Sequence, residues 1–296
     1  LIMKRRDFIK TSAAGSAFLL ASGAYAFNPP ENLLTDKKFV FQSRRNIPIA
    51  YNVDVIVVGG SSAGVAAAVE ASRAGAKVFL VAQEPYLGED ICGTYRLWTN
   101  NKLAEQTELG NAIFSGGLPT PLHVKRTLDN ALIDNNIGFL YSSFVTEALH
   151  SKSGELAGVV ISNRSGRQAI IAKIIIDATP RAMVAKLAGA RFGTYPAGKH
   201  PFKFTVVGNE VKESSSIKSR VHEQPVLVKF DSSGDAHDGS FKEANRTYNA
   251  IEYEIEIEMT DGSWSSFAKA EQIARDLTWD ANQVESSDLL FQNPPD

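Results

Sequence analysis

The residues with the clearest chemical meaning lie between Asp54 and Glu84, in the run DVIVVGGSSAGVAAAVEASRAGAKVFLVAQE. Gly59, Gly60, Ser61, Ala63 and Gly64 follow a short β-branched stretch, Val55 to Val58, and open a segment of small, helix-favouring residues from Ala63 to Ala74. Gly75 ends that segment, and Val78 to Val81 forms a second apolar run. Strand, glycine turn, helix and strand in this order aim the first N–H groups of the helix, and the positive end of its dipole, at the space above the strand ends. A pyrophosphate suits that space. The pattern departs from G-x-G-x-x-G, because Ser61 stands at the second glycine position and adds a hydroxyl where phosphate would approach. Ala82 ends the second strand where an acid would hold ribose hydroxyls, which leaves Gln83 or Glu84 to do so. A glycine-rich turn in an α/β fold with no nucleotide is the competing reading.

Other reactive types are sparse. There is one cysteine, Cys92, so neither an intrachain disulfide nor a cysteine metal cluster can form. Cys92 and Arg96 lie in the glycine-, acid- and aromatic-rich stretch Pro85 to Trp98, the type of loop that carries function. Cys92 reads as a small buried residue or as a group facing a cofactor. Arg96 suits a carboxylate substrate, the electron-rich edge of a ring, or a surface position. The five histidines show neither H-x-x-x-H nor H-E-x-x-H spacing, and no metal site is expected.

These residues must be positioned by a large fold. At 296 residues and 44% hydrophobic content the chain can bury one large or two ordinary cores. Its formal charge of −2, with no basic stripe interleaved with aromatics, argues against nucleic acid as a partner. Residues 1–26 carry Lys4-Arg5-Arg6, a modest apolar stretch and Ala24-Tyr25-Ala26, the order of an export signal. Arg5-Arg6 followed by Asp7-Phe8-Ile9-Lys10 resembles a twin-arginine signal, which implies the twin-arginine export machinery as a partner and a periplasmic or otherwise exported destination. The apolar stretch is short of the roughly 20 residues of a spanning helix, so no stable membrane span is expected in the mature chain.

Residues 27–51, with Pro29-Pro30, read as a linker. Thr120-Pro121 starts a helix with Val124, Leu128, Ala131 and Leu132 on one face. Phe139 to Leu149 is a predicted strand, and Leu156 to Ser162 and Gln168 to Ile171 a hairpin. Lys173 to Ile176 runs into Asp177-Ala178-Thr179-Pro180, and Met183 to Ala188 is a short helix. Beyond Arg191, Lys203 to Val211 and Pro225 to Phe230 are strand-like around a polar segment, Lys212 to Gln224. In Ile251 to Met259 the apolar residues alternate with Glu252, Glu254, Glu256 and Glu258, which predicts a half-buried strand with a solvated acidic face. Ser265 or Ser266 is expected to cap a last helix bearing Phe267, Ala270, Ile273, Ala274 and Leu277.

The order of β-α-β unit, Leu-Gly loop, helix, strand, hairpin, and I-I-I-D-A-T before a helix ending Leu187-Ala188-Gly189-Ala190 resembles the FAD-dependent oxidoreductases of the glutathione-reductase-like superfamily, over about residues 52–192. The resemblance implies an α/β fold: a Rossmann-like FAD-binding domain with a β-hairpin insertion at 52–192, and a partial β-rich α+β substrate or cap domain at 193–296, the chain ending before the domain is complete. It implies FAD as cofactor, with Gly59, Gly60, Ser61, Ala63 and Gly64 around the pyrophosphate and Gln83 and Glu84 near the ribose. Gly88 and the residues after it would run beside the phosphates toward the flavin ring, Val145 would lend its backbone to the adenine, and Ala178 and Thr179 would close over the dinucleotide. Pro180 replaces a usual glycine. The implied activity is hydride transfer from a small organic substrate to flavin. Disulfide reductases of the superfamily carry a second cysteine five residues after the first; Leu97 is there, so a dithiol mechanism is excluded. NAD in place of FAD is the rival within the fold. Outside it, the rival is a redox-inactive nucleotide-binding or carbohydrate-associated protein, suggested by Ser61, Ala82 and Pro180 together. Without a recognisable closing segment after Asp261, residues 27–296 alone are expected to bind FAD poorly.

Overall fold

Three parallel pairings place the glycine turn at the centre of a sheet. In the computed structural model, which describes residues 46–99, 107–193, 196–222, 226–233 and 241–291, strand β1 (Ile49–Val58) lies between β2 (Val78–Val81) and β6 (Gly166–Asp177), parallel to both. Strand β3 (Gly138–Leu140) extends the parallel part beyond β2, while β5 (Leu156–Asn163) and β4 (Phe144–His150) continue it antiparallel beyond β6. The six-stranded order is β3-β2-β1-β6-β5-β4. Strand β1 is buried from Val55 to Val58 and β2 throughout, as continuous apolar runs covered on both faces should be.

Helix α1 (Ser62–Arg73) packs Gly64, Val65, Ala68 and Val69 against this sheet. Its small residues let backbone approach backbone. Helix α2 (Glu108–Phe114), which hydrophobic patterning did not reveal, and helix α3 (Pro121–Asp134) lie beside it. Thr120 caps α3 through its side chain and Val124, Leu128 and Leu132 are buried, as the spacing predicts. A short helix, α4 (Met183–Leu187), follows β6.

The second sheet has the order β11-β7-β10-β8, from β7 (Gly198–Gly208), β8 (Ile217–Val221), β10 (Phe241–Met259) and β11 (Glu285–Ser286); β9 (Val226–Ser233) pairs with the first part of β10. Helix α5 (Trp264–Thr278) covers one face, where Phe202, Phe204, Ile251, Tyr253, Ile255 and Ala270 form a core. Val207 and Ala250 point the other way and join the core beneath the first sheet's helices. Both sheets belong to one compact unit, residues 47–296.

Several expectations need correction. Strand β1 begins at Ile49, inside the expected linker, because Ile49 to Val53 pair with β6. The stretch from Phe139 to Leu149 is two strands, broken where the N–H groups of Ser142 and Ser143 donate to the carbonyls of Glu84 and Ala82. The hairpin's second strand and the isoleucine run are one strand, β6, which pairs antiparallel with β5 along its first half and parallel with β1 on its other edge from Ala169 onward. Strand β8 lies within the polar segment 212–224. Ser263, rather than Ser265 or Ser266, caps α5 by accepting from the Ser266 N–H. The glutamate face of β10 is not uniformly solvated: the Glu252 side chain is only 12% exposed, because Arg96 and Lys203 close over it. The leader and residues 27–45 of the linker lie outside the described residues.

Candidate functional site

The turn after β1 is tight at each small residue. Gly59 has φ +116°, and a Cβ there would lie 2.3 Å from the Ala178 carbonyl oxygen. A Cβ on Gly64 would lie 2.5 Å from the Gly59 oxygen, and one on Gly60 2.9 Å from the Ala82 Cβ. Ser61 is the N-cap of α1: its hydroxyl accepts from the Gly64 N–H at 3.2 Å and donates to the Ala178 carbonyl at 3.3 Å. Its hydroxyl is thus committed to the turn. Gly88 donates its N–H to the Gly60 carbonyl at 2.7 Å, fixing the next loop above the strand ends.

The second motif closes from the other side. The Ala178 N–H donates to the Val58 carbonyl at 2.7 Å, which holds the end of β6 against the end of β1. One Asp177 carboxylate oxygen accepts from the Thr179 N–H and hydroxyl, and the other from the Ala185 N–H in α4. The Thr179 oxygen in turn accepts from the Met183 N–H. These side chains cap a helix whose own N-cap residue, Ala182, offers none. Pro180 is followed by Arg181 at φ +103° and Ala182 at φ +48°, two non-glycine residues in the left-handed region. The Arg181 guanidinium sits over the Phe267 and Trp264 rings of α5, 3.9 and 4.7 Å from their centroids.

A cleft opens between these motifs at the carboxyl ends of the parallel strands, the usual place for a ligand in such a sheet. Gly59, Gln83, Glu89, Ser143, Val145 and Thr179 are among its walls. At the start of α1 the carboxylate of Asp90 accepts from the Ser62 N–H at 2.8 Å and from the Ser62 hydroxyl, so this helix N-terminus already receives an anionic group. Asp90 and Glu89 both come from a π-helical turn, Glu89–Gly93. Glu89 is 1% exposed, and neither of its carboxylate oxygens has a hydrogen-bond partner.

Residues 54–290 match the family described as FAD dependent oxidoreductase. The chain belongs to that family. No curated protein matches the sequence. Among solved structures it is similar to CabE, an aromatic hydroxylase from angucycline biosynthesis, at 16% identity over 82% of this chain and 52% of that one, with a TM-score of 0.45. It is similar to a geranylgeranyl bacteriochlorophyll reductase-like protein from Thermoplasma acidophilum, at 15% identity over 70% of this chain and 56% of that one, with a TM-score of 0.44. A flavoprotein/dehydrogenase from Cytophaga hutchinsonii is similar at 14% identity over 74% and 57%, also with a TM-score of 0.44. The chain spans about half the length of these structures.

FAD is the cofactor of this family, and the residues present fit it. The glycine cradle leaves no room for a Cβ, and a buried carboxylate awaits donors in the cleft. Of the residues the sequence singles out, Gly59, Gln83, Val145 and Thr179 line the cleft together. Gly60, Ser61, Gly64, Gly88 and Ala178 form the packed turn behind it. Ala63 is exposed toward a groove between α1, α2 and α3, and Glu84 is not among the cleft's walls. The sequence places the residues after Gly88 along the cofactor without giving Glu89 or Asp90 a role of its own, and it carries no signal for the capping role of Asp177.

Neither side chain weighed for chemistry faces this cleft. Arg96 approaches Glu252 of β10 with its Nε at 3.7 Å and lies over the Phe291 ring, 4.5 Å from its centroid. Cys92 is buried in the core beneath α3, with its Sγ 3.5 Å from the Pro121 carbonyl oxygen. Burial pushes its thiol up to about 12, with the carboxylates of Asp90 and Asp288 adding to the shift and Lys125 opposing it. The thiolate is the reactive form, so Cys92 is expected to be inert toward a disulfide reagent in the native protein at pH 8 and to react fully after denaturation. Rapid native labelling would contradict its burial. Among the described residues there is no cluster of three or more metal-ligating side chains, and no helix is long and apolar enough to cross a membrane.

Proposed function

We propose that this chain binds FAD across the cleft and forms the cofactor-holding part of an exported oxidoreductase acting on a small organic molecule. The observation that carries the reading is the junction of two motifs far apart in sequence: the turn at Gly59 and the turn at Thr179, joined through Ala178, frame one cleft at the N-terminus of α1.

Gly59, Gly60, Ser61 and Gly64 would form the backbone bed of the pyrophosphate, with Gly88 and the π-helical turn beside it. Val145 would meet the adenine, and Ala178 and Thr179 would close over the dinucleotide. When bound, the flavin supplies the hydride-accepting chemistry. The chain's own residues position it: Ser61 fixes the helix start, Asp177 fixes the turn opposite, and Arg181 links that turn to the second sheet's helix. Ser61 and Pro180, two departures from the usual pattern, are absorbed by capping and by the Asp177 network. Asp90 would share the Ser62 donors with the incoming phosphate, a like-charge contact that tempers affinity. Export rests on Arg5-Arg6 and the residues after them.

The test is a visible absorbance spectrum of the full protein recovered from its exported fraction, with the released cofactor identified by mass. Flavin bands with FAD released are the expected result, and anaerobic loss of those bands on adding candidate substrates would then identify the reductant. A protein that stays colourless after FAD is supplied would overturn the reading.

A further inference from the structure

In this chain the place for a ribose-binding acid, at the end of β2, is taken by Ala82, which is fully buried, and neighbouring Glu84 does not line the cleft. A carboxylate nevertheless enters the cleft from another direction. Glu89 extends from the π-helical turn after Gly88 into the same cleft as Gln83, Ser143 and Val145, with both oxygens unpartnered. A buried acceptor left without a donor is costly, more so if charged, and native interiors rarely carry one.

The neighbouring hydroxyls cannot satisfy it, since they are already used. Ser143 donates to the Tyr141 carbonyl and accepts from the Asn163 side chain. Thr179 donates to Asp177 and accepts from the Met183 N–H. Among the described residues, none that lines the cleft is a lysine, arginine or histidine, so none of them balances the carboxylate there. The arrangement asks for a ligand that brings adjacent hydroxyl donors. A ribose presents two, and a carboxylate can accept from both at once.

We propose that Glu89 holds the 2′ and 3′ hydroxyls of the adenosine ribose, replacing from the phosphate loop the acid that the β2 strand end lacks. The inference rests on FAD being the ligand of this cleft. It assigns Glu89 a binding role and leaves hydride transfer to the flavin.

Electrostatics in the folded chain agree with a group kept for function at a cost in stability. Burial first, then the carboxylates of Asp90 and Glu84, push Glu89 up to about 7 from its ordinary 4.5. An acid whose folded value is raised holds its proton longer in the folded state. Stability therefore falls as pH rises from 4.5 to 7, and the penalty is complete above pH 7.

The experiment compares the full protein with its Glu89→Gln variant in two measurements. Flavin fluorescence titration is run with FAD and with an FAD analogue whose adenosine ribose lacks the 2′ and 3′ hydroxyls. The wild type should bind FAD roughly tenfold more tightly than Glu89→Gln does, while the two proteins bind the analogue equally, since charge-assisted bonds to hydroxyls are the only interaction changed. Thermal melts without ligand should show Glu89→Gln more stable than wild type at pH 8, with the gap closing toward pH 5. A structural role predicts the reverse, a variant less stable at both pH values. Equal FAD affinity in the two proteins, an equal loss with FAD and analogue, or a variant destabilised at pH 8 would each overturn the assignment. Wild-type protein that binds no FAD would overturn the cofactor reading itself, and is distinguishable because it fails before the variant is compared.

Discussion

Gly59→Ala is expected to lose FAD binding by at least a hundredfold and to lower the melting temperature by about 10 °C. Two costs add. At φ +116° an L-residue is strained by about 1–3 kcal/mol, and the new methyl would lie 2.3 Å from the Ala178 oxygen and 2.4 Å from its carbon. The contact is with backbone, so no side chain can rotate away. Relief requires moving the ends of β1 and β6 apart, which stretches the bond from the Ala178 N–H to the Val58 carbonyl, at 2.7 Å. At about 2–4 °C per kcal/mol for a unit of this size, a combined cost of about 3 kcal/mol or more gives the stated shift. The cofactor loss follows from geometry, because the displaced backbone is the floor of the cleft. Gly75→Ala is the control: φ is again positive, at +88°, but a Cβ there meets nothing within 4 Å. It should cost only strain and leave FAD affinity unchanged. Thermal melts and FAD titration of both variants check this, and wild-type affinity in Gly59→Ala would show that the turn does not form the cofactor floor.

The contrast between these glycines shows what was legible in the chain and what was not. The β1-α1-β2 unit could be read because its signals are local: a β-branched run, a glycine turn and small residues at helical spacing, ended by Gly75. The Thr120 cap and the buried face of α3 were legible for the same reason. The length of β6 was not, since it depends on two different partners, β5 on one edge and β1 on the other, that lie outside its own sequence. Glu252 was read as solvated from its alternation, yet that pattern specifies only which face a residue is on, and Arg96 and Lys203 arrive from other parts of the chain to cover it. The site divides along the same line. Gly59, Val145 and Thr179, which the sequence singles out, line one cleft. Glu89 and Asp90 lie in an irregular turn, where neither a period of 2 nor of 3.6 tells where a side chain points, and one goes into the cleft while the other goes to the start of α1.

Asp177→Ala is expected to destabilise the protein by about 2–4 kcal/mol and to weaken FAD binding about tenfold, through a residue that need not touch the cofactor. Three donors converge on this carboxylate: the Thr179 N–H at 3.0 Å, the Thr179 hydroxyl at 2.6 Å and the Ala185 N–H at 2.9 Å. Each bond to a charged acceptor contributes about 1.5–3 kcal/mol before water recovers part of it, and the half-buried position limits that recovery. Their work is to hold a strained backbone. Arg181 and Ala182 occupy left-handed conformations that other residues avoid, and such strain persists only where the surroundings over-determine it. Without Asp177 the turn can relax toward ordinary angles and carry Thr179 away from the cleft. Asp177→Asn separates capping from charge: its amide oxygen can keep the two Thr179 bonds while its NH2 cannot accept from Ala185, so α4 frays but the turn remains. FAD affinity should then recover most of the way to wild type while stability recovers only in part. If Asp177→Ala melts lower but binds FAD as the wild type does, the turn is structural only, and closure over the dinucleotide must be assigned elsewhere.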